Sequence, residues 1–169
     1  MGHNSARDPY DDLMGRIEHY HDPDAPPPNS LVPAATAIVS DDQGRILLQR
    51  RADNDLWALP GGGMDYGETI GQTVTREVRE ETGLDVEPVG IVGIYTDPNH
   101  LIEYSDGEVR QQFSICFRTR LRGGELLLSD ESTDLRWVPP AQLDDLNIHP
   151  SIRLRIDHFL EDRAEPYIG

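Results

Sequence analysis

The segment between residues 62 and 84 constrains the fold more than any other part of the chain. It begins in a run of three glycines and continues into a stretch with helical spacing of apolar residues. Three carboxylates lie on this stretch, at Glu77, Glu80 and Glu81. On a helix, Glu80 lies about 60° to one side of Glu77 and Glu81 about 40° to the other. The spacing therefore predicts three acids on one side of one short helix.

These acids repel one another, and the repulsion needs a counter-charge. Like charges at such spacings cost a helix roughly 0.2–0.5 kcal/mol per pair. A hard divalent cation, which prefers oxygen ligands, is the natural partner. The cluster therefore predicts a site for Mg²⁺ or Mn²⁺, the metals suited to carboxylates.

The boundaries of the helix are visible in the sequence. Gly61-Gly62-Gly63 permits backbone conformations that other residues avoid, and Gly67 is expected in the turn that follows. The helix is predicted from Thr69 to Thr82, with Gly83 as its C-terminal cap. Its buried stripe recurs every four residues, at Ile70, Val74 and Val78.

The same stretch resembles the Nudix box, G-x5-E-x7-R-E-U-x-E-E-x-G-U, in which U is aliphatic. Every specified position is filled, with Val78 and Leu84 at the aliphatic sites. The resemblance implies that Glu77, Glu80 and Glu81 bind the metal and that a carbonyl of Gly61 adds a ligand. It also implies a supporting role for Glu68 and Arg76, as an ion pair that fixes the loop against the helix.

Outside this segment, short apolar runs separated by turns predict a strand-rich domain. A hairpin is expected from strands 32–39 and 45–51 around a turn at 41–44, and residues 96–108 are expected to form an acidic loop. Further strands are predicted at 56–59, 86–95, 109–122 and 135–138, with a final helix at 148–160. Strands flanking two helices predict an α/β/α sandwich with a mixed sheet, which the Nudix resemblance also implies.

Length and charge limit the possible functions. A chain of 169 residues suits one domain, and its net charge of −16 disfavours polymeric nucleic acid as a partner. A small nucleotide substrate remains compatible, because bound cations screen phosphates locally. No apolar run is long enough for a membrane span, and the N-terminus lacks a secretory signal. A cytoplasmic protein without a membrane partner is expected.

The first 30 residues differ from the rest. They are acidic and proline-rich, and we expect them to form an arm attached to a domain at 31–169. A short helix from Tyr10 to Tyr20 is predicted, since Leu13, Met14 and Ile17 could share one face. The arm is expected either to be mobile or to pack across a homodimer.

Several residues outside the acidic helix are candidates for the site. Arg50 and Arg51 end a predicted strand and could grip a phosphate, although exposed strand-end charges explain them equally well. Gly62 and Gly63 leave room for phosphates beside the helix N-terminus. Trp57 is expected in the core rather than on a base. His100 is a weaker candidate, from the loop expected to border the substrate.

A further acid beyond the box is implied by the family resemblance, as a base or an additional ligand. Glu131 and Asp134 are favoured because they precede a predicted strand. Asp130 and three acids of the 96–108 segment are alternatives, namely Glu103, Asp106 and Glu108. For each of them, a solvated surface charge is the simpler interpretation.

The predicted activity is metal-dependent hydrolysis of a nucleoside diphosphate linked to another group. Pro98 stands fifteen residues after Gly83, a spacing that resembles ADP-ribose pyrophosphatases. The acidic 96–108 loop is expected to repel a substrate with extra negative charge at its far end. ADP-ribose or a nucleotide sugar is therefore favoured as substrate, with a MutT-like triphosphate pyrophosphatase as the alternative. A catalytically silent regulatory module and an isoprenoid diphosphate isomerase are further alternatives. The isomerase needs a reactive cysteine, and Cys116 lies in an apolar run where a core role is expected.

Overall fold

The computed structural model describes residues 15–169 as ten strands and two α-helices. The helices are α1 (Ile70–Thr82) and α2 (Pro150–Leu160), and a 3-10 turn spans Pro140–Asp145. The strands are β1 (Ile17–Tyr20), β2 (Ser30–Ile38), β3 (Ile46–Arg51), β4 (Trp57–Ala58), β5 (Gly61–Gly63), β6 (Leu84–Tyr95), β7 (His100–Glu103), β8 (Val109–Gly124), β9 (Ser132–Val138) and β10 (Tyr167–Ile168).

Two sheets organise these strands. The larger sheet runs in the order β1-β7-β8-β2-β5, and β6 pairs with β8 and carries β10. In this sheet β2 is parallel to β8 but antiparallel to β5, which makes the sheet mixed as predicted. The smaller sheet has the order β4-β3-β9. No helix among residues 15–169 is long and apolar enough to cross a bilayer.

Two apolar clusters hold the layers together. On one side, α1 buries Val74 and Val78 against a cluster that includes Ala35 and Phe117. On the other side, Ile156 of α2 belongs to a second cluster with residues of β3, β6 and β9. The helices therefore flank the strands, and the predicted α/β/α arrangement is confirmed. Cys116 is fully buried in the second cluster, where the sequence placed it.

Helix α1 starts and stops where its sequence requires. The side chain of Thr69 accepts a hydrogen bond from the Gln72 backbone, and the Gln72 side chain accepts one from the Thr69 backbone. This reciprocal cap satisfies two N–H groups that the first helical turn leaves without partners. At the other end Gly83 adopts φ 76°, a left-handed conformation that favours glycine.

Three local predictions are wrong. Residues 17–20 form strand β1 rather than a helix, because they pair with β7 at the edge of the larger sheet. The rest of that predicted helix, up to residue 14, lies outside the described residues. Residues 96–108 are not simply a loop, since Leu101 and Ile102 of β7 are buried against neighbouring strands.

The third wrong prediction is the hairpin between β2 and β3. The Asp41 to Gly44 turn forms, with the Gly44 N–H donating to the Asp41 carbonyl at 3.0 Å. After a single bridge between Ser40 and Ile46, β3 leaves β2 and joins β4 and β9 instead. The reason is burial. Leu47 belongs to the apolar cluster beneath α1 and Leu48 to the cluster that contains Ile156 of α2, so β3 must lie between the two clusters.

Candidate active site

The three acids of α1 differ in exposure. Glu77 and Glu81 are 6% and 4% exposed, whereas the Glu80 side chain is 59% exposed. They share one side of the helix as predicted, but Glu77 and Glu81 point toward the glycine strand β5 and Glu80 faces solvent. Buried carboxylates are costly unless their charge is balanced. The buried pair is therefore the part of the site that most requires a cation.

The glycines of β5 leave room for these carboxylates, because they carry no side chains. A Cβ added at Gly62 would lie 2.5 Å from the carboxyl carbon of Glu77. The backbone N–H of Gly61 donates to Oε2 of Glu81 at 2.8 Å. A side chain at position 62 would displace the Glu77 carboxylate. Contact with the metal by Gly61 and with phosphates by Gly62 and Gly63 stays a prediction.

Arg76 connects the turn to the helix. Its Nε donates to Oε1 of Glu68 at 2.5 Å, and its Nη2 donates to the carbonyl of Gly63 at 3.1 Å. Its Nη1 donates to Glu77 at 2.8 Å and to Glu80 at 3.2 Å. The expected ion pair between Glu68 and Arg76 is therefore present, and the same guanidinium orients two of the acids. Its catalytic importance stays a prediction.

The surroundings of Glu81 disfavour its negative charge. Burial raises the pKa of the Glu81 carboxyl well above its usual range, and the charges of Glu77 and Glu131 raise it further. Hydrogen bonds from Gly61 and from the Gln49 side chain, the latter at 2.9 Å, act in the opposite direction. The environment therefore resists the ionised form until a positive charge is supplied.

These observations show that the residues fit a hard divalent cation. Arg76 pairs with four acids, Asp65, Glu68, Glu77 and Glu80, and the charge of Glu77 also acts on the buried Glu81, so one guanidinium cannot balance the acids around it. The donors are carboxylate oxygens, as Mg²⁺ and Mn²⁺ prefer. The identity of the metal stays a prediction.

The two favoured acids outside the box occupy different surroundings. Glu131 lies close enough to Glu81 to influence its pKa. Asp134 instead accepts a hydrogen bond from Arg136 at 2.8 Å and lies opposite Arg50 in the β3–β9 ladder. The structure thus brings Glu131, rather than Asp134, toward the carboxylate cluster, and a catalytic role for either acid stays a prediction.

The alternative acids of the 96–108 segment have other partners. Glu103 contacts His19 at 2.8 Å, and Glu108 accepts hydrogen bonds from Ser30 and Arg110. Asp106 accepts from the Glu108 backbone. These contacts give each acid a local structural role around β7 and β8.

The candidate phosphate ligands at the end of β3 make ion pairs with neighbouring acids. Nη2 of Arg50 lies 2.5 Å from Asp55, and Arg51 contacts Asp53 through two nitrogens. Trp57 is buried in the core as expected, with the Arg136 guanidinium 4.8 Å from its ring centre. The structure leaves the phosphate role of Arg50 and Arg51 as a prediction.

Sequence reasoning missed two features of the site region. Gln49 is 2% exposed and donates to Glu81, and a lone polar residue at the end of the run Ile46 to Leu48 was its signal. His100 is buried on β7 and bonded to Glu18, a contact between residues far apart in sequence. No local spacing predicts that contact.

Comparison with known proteins agrees with this geometry. The sequence matches the NUDIX domain family over residues 30–159. A MutT-like protein from Streptomyces ambofaciens is 37% identical over 119 residues, which cover 70% of each chain. An ADP-ribose pyrophosphatase from Methanocaldococcus jannaschii is 35% identical over 132 residues, covering 76% of this chain and 70% of that protein. A NUDIX hydrolase structure from Nitrosomonas europaea shares the fold, with a TM-score of 0.67, 22% identity and coverage of 83% and 80%. The chain therefore belongs to the Nudix family and is a hydrolase of phosphoric anhydride bonds.

Proposed function

We propose that this hydrolase cleaves a nucleoside diphosphate joined to a further group, with ADP-ribose or a nucleotide sugar as the preferred substrate. The observation that carries the chemistry is the buried pair Glu77 and Glu81 beside the glycine strand β5, where Arg76 donates to Glu77 and the Gly61 N–H donates to Glu81. Carboxylates in this setting hold divalent ions that bind phosphates. The substrate class is supported by the similarity of the chain to an ADP-ribose pyrophosphatase.

The residues of the chain divide the work of hydrolysis. Glu77, Glu80 and Glu81 would hold magnesium or manganese, which would supply neutralisation of the phosphoryl charge and activation of water. Arg76 keeps the carboxylates in one arrangement through its contacts to Glu77 and Glu80. We assign to Glu131 the acceptance of the proton from the attacking water, a role supported by its charge acting on Glu81.

Substrate choice depends on surfaces beyond the carboxylates. The acids of the 96–108 segment were expected to repel a substrate with negative charge at its far end. In the structure Asp97 lies 2.7 Å from His21, and Glu103 lies 2.8 Å from His19. Hydrogen bonds to Asp22 and Glu103 raise the pKa of His19, and its positive charge when protonated offsets part of the repulsion, so the discrimination against triphosphates is expected to be modest.

A rate comparison tests the proposal. We expect kcat/KM with Mg²⁺ to be higher for ADP-ribose or a nucleotide sugar than for a nucleoside triphosphate. The products distinguish the reactions, because the first class yields a nucleotide and a phosphorylated remainder, whereas a triphosphate yields a monophosphate and pyrophosphate. A triphosphate that wins by tenfold or more supports the MutT-like alternative instead. Chelation of the metal should abolish every one of these reactions.

The two remaining alternatives are weaker. A silent regulatory module does not require the complete acid set that Glu77, Glu80 and Glu81 provide, and the chain is a hydrolase by family. An isomerase would need an accessible thiol. Burial raises the pKa of the Cys116 thiol to about 11, and the side chain is fully buried. Cys116 is therefore unsuited to acid–base chemistry.

A further inference from the structure

Three side chains from distant parts of the chain meet on the side of the larger sheet near the start of α2. They are Glu18 on β1, His100 on β7 and His149 at the N-cap of α2, and we refer to them as the histidine cluster. Oε1 of Glu18 lies 2.6 Å from Nε2 of His100 and 3.6 Å from Nε2 of His149. The three ligand atoms all lie within 4.8 Å of one another.

We propose that the histidine cluster is a second metal site, which binds one late first-row divalent ion such as zinc. Two imidazole nitrogens and one carboxylate oxygen form a donor set that suits zinc and its neighbours, whereas magnesium prefers oxygen alone. The proposal goes beyond the hydrolytic function, because none of the three residues belongs to the Nudix box.

The spacing of the two rings suits a shared ion. The ring centres of His100 and His149 lie 5.4 Å apart, and because their planes are stacked with an inclination of 15°, one ring must turn about its Cβ–Cγ bond for both lone pairs to meet at one ion. Two imidazoles bound at about 2.1 Å to one tetrahedral ion place their ring centres roughly 5 Å apart. Binding requires the 2.6 Å contact between Glu18 and His100 to open to about 3.3 Å, the spacing of two ligands around such an ion. That movement is within reach of a glutamate side chain.

Neighbouring groups hold the ligands in position. Nδ1 of His149 lies 2.8 Å from the Ser151 hydroxyl. As the N-cap of α2, Nδ1 also accepts a hydrogen bond from the Ser151 backbone N–H at 3.2 Å. Metal binding through Nε2 therefore requires the proton to lie on Nδ1, where it would donate to the Ser151 hydroxyl in place of this cap bond. Tyr20 packs edge-on against both histidine rings, at 5.3 Å and 5.1 Å. Support of this kind fixes ring orientation in metal sites.

The surrounding charge limits which ions can bind. Arg16 lies 3.5 Å from the second carboxylate oxygen of Glu18, and the buried Arg155 also interacts with Glu18. These cations disfavour an ion held by charge alone, as magnesium is. They are less unfavourable for an ion whose bonds to imidazole nitrogen have covalent character. The cluster is therefore expected to select zinc over magnesium, in contrast to the acids of α1.

The consequence of binding is structural. The ion would join the edge strand β1 to β7 and to the first turn of α2. Because a ligand that binds only the folded state stabilises it by mass action, zinc is expected to raise Tm in proportion to the logarithm of its concentration. This expectation is independent of hydrolytic activity.

Cobalt absorption provides the test. The metal-stripped full chain is titrated with Co²⁺ in excess Mg²⁺, which occupies the carboxylates of α1. We expect the visible absorption of tetrahedral cobalt to saturate at one equivalent and to be displaced by zinc. His100→Ala and His149→Ala should each weaken binding by at least about tenfold, whereas His21→Ala, an exposed histidine beside Asp97, should not.

Two milder variants keep the test decisive where an alanine variant fails to fold. Glu18→Gln removes a charged ligand at constant shape, and Ser151→Ala removes the hydroxyl beside His149, so both should weaken cobalt binding and lower the zinc-dependent rise in Tm. The proposal is overturned by a wild-type chain without the tetrahedral spectrum. It is also overturned when the folded variants bind cobalt as tightly as wild type.

Discussion

The acids of α1 and the histidine cluster are built in opposite ways. The first group comes from one short segment, in which a single guanidinium, Arg76, contacts four carboxylates. The second comes from three separate elements and joins a carboxylate of β1 to imidazoles of β7 and of the α2 cap. A site made from local spacing can be predicted from sequence, whereas one made by strand pairing needs the fold.

Among substitutions at residues other than the acids, Gly62→Ala should cause the largest loss of kcat. Its Cβ would lie 2.5 Å from the Glu77 carboxyl, so the carboxylate must move while the fold survives. Displacement of a reacting group by about 1 Å can cost on the order of 10²-fold in rate, and we expect a kcat loss of that size. Gly71→Ala is the matched control, because its Cβ would have its nearest neighbour at 3.7 Å. Equal kcat for the two variants would contradict this role of Gly62.

Arg76→Ala should weaken metal binding and lower stability together. The substitution removes hydrogen bonds to Glu68, Glu77 and Gly63 at once. We expect the Mg²⁺ concentration for half-maximal activity to rise about tenfold or more, with a lower Tm. Arg79→Ala is the control, since that exposed side chain pairs with Asp85 outside the site. If both variants match wild type in both measurements, Arg76 is only a surface charge.

Lowering the pH should reduce the free energy of unfolding through Glu68, and we expect this effect to be smaller than those of the two substitutions above. The hydrogen bonds from Arg76 lower the pKa of the Glu68 carboxyl from 4.5 to about 2, outweighing its partial burial. Because the folded pKa is depressed, this contribution to stability is present above pH 4.5 and is lost as the pH falls toward 2. Glu68→Gln should therefore show a shallower decrease of unfolding free energy over that range. The free energy of unfolding is measured by denaturant titration at each pH for both proteins. If it decreases equally with pH in wild type and in Glu68→Gln, Glu68 makes no such contribution.

The successes and failures of sequence reasoning follow the same division. The bounds of α1 depend on neighbouring residues and were predicted to within one residue, with Gly83 as the C-terminal cap, whereas Thr69 caps the helix rather than beginning it. The fate of β3 was not predicted correctly, because its choice between two sheets depends on which apolar clusters it fills. Strand β1 was missed for a related reason, since only its pairing with β7 makes residues 17–20 extended.

The predicted homodimer, with the N-terminal arm packed across it, can be tested by deleting part of the arm. Deleting all of residues 1–28 is unsuitable, because it removes β1 and therefore destabilises the larger sheet whether or not the chain dimerises. Deleting residues 1–14 leaves every described strand intact. A homodimer that uses the arm predicts a lower solution mass for this shorter deletion, measured by light scattering. If the solution mass of the oligomer falls only by the mass of the deleted residues, residues 1–14 are not needed for dimerisation.

The central claim is that the acids of α1 hold the catalytic metal, and Glu81→Gln tests it most directly. The substitution keeps the shape of a side chain that is 4% exposed and removes its charge. With the best substrate and saturating Mg²⁺, we predict a kcat loss on the order of 10²-fold or more with Tm retained, while Glu87→Gln on the surface leaves kcat unchanged. A folded Glu81→Gln enzyme with near-normal kcat would contradict the assignment.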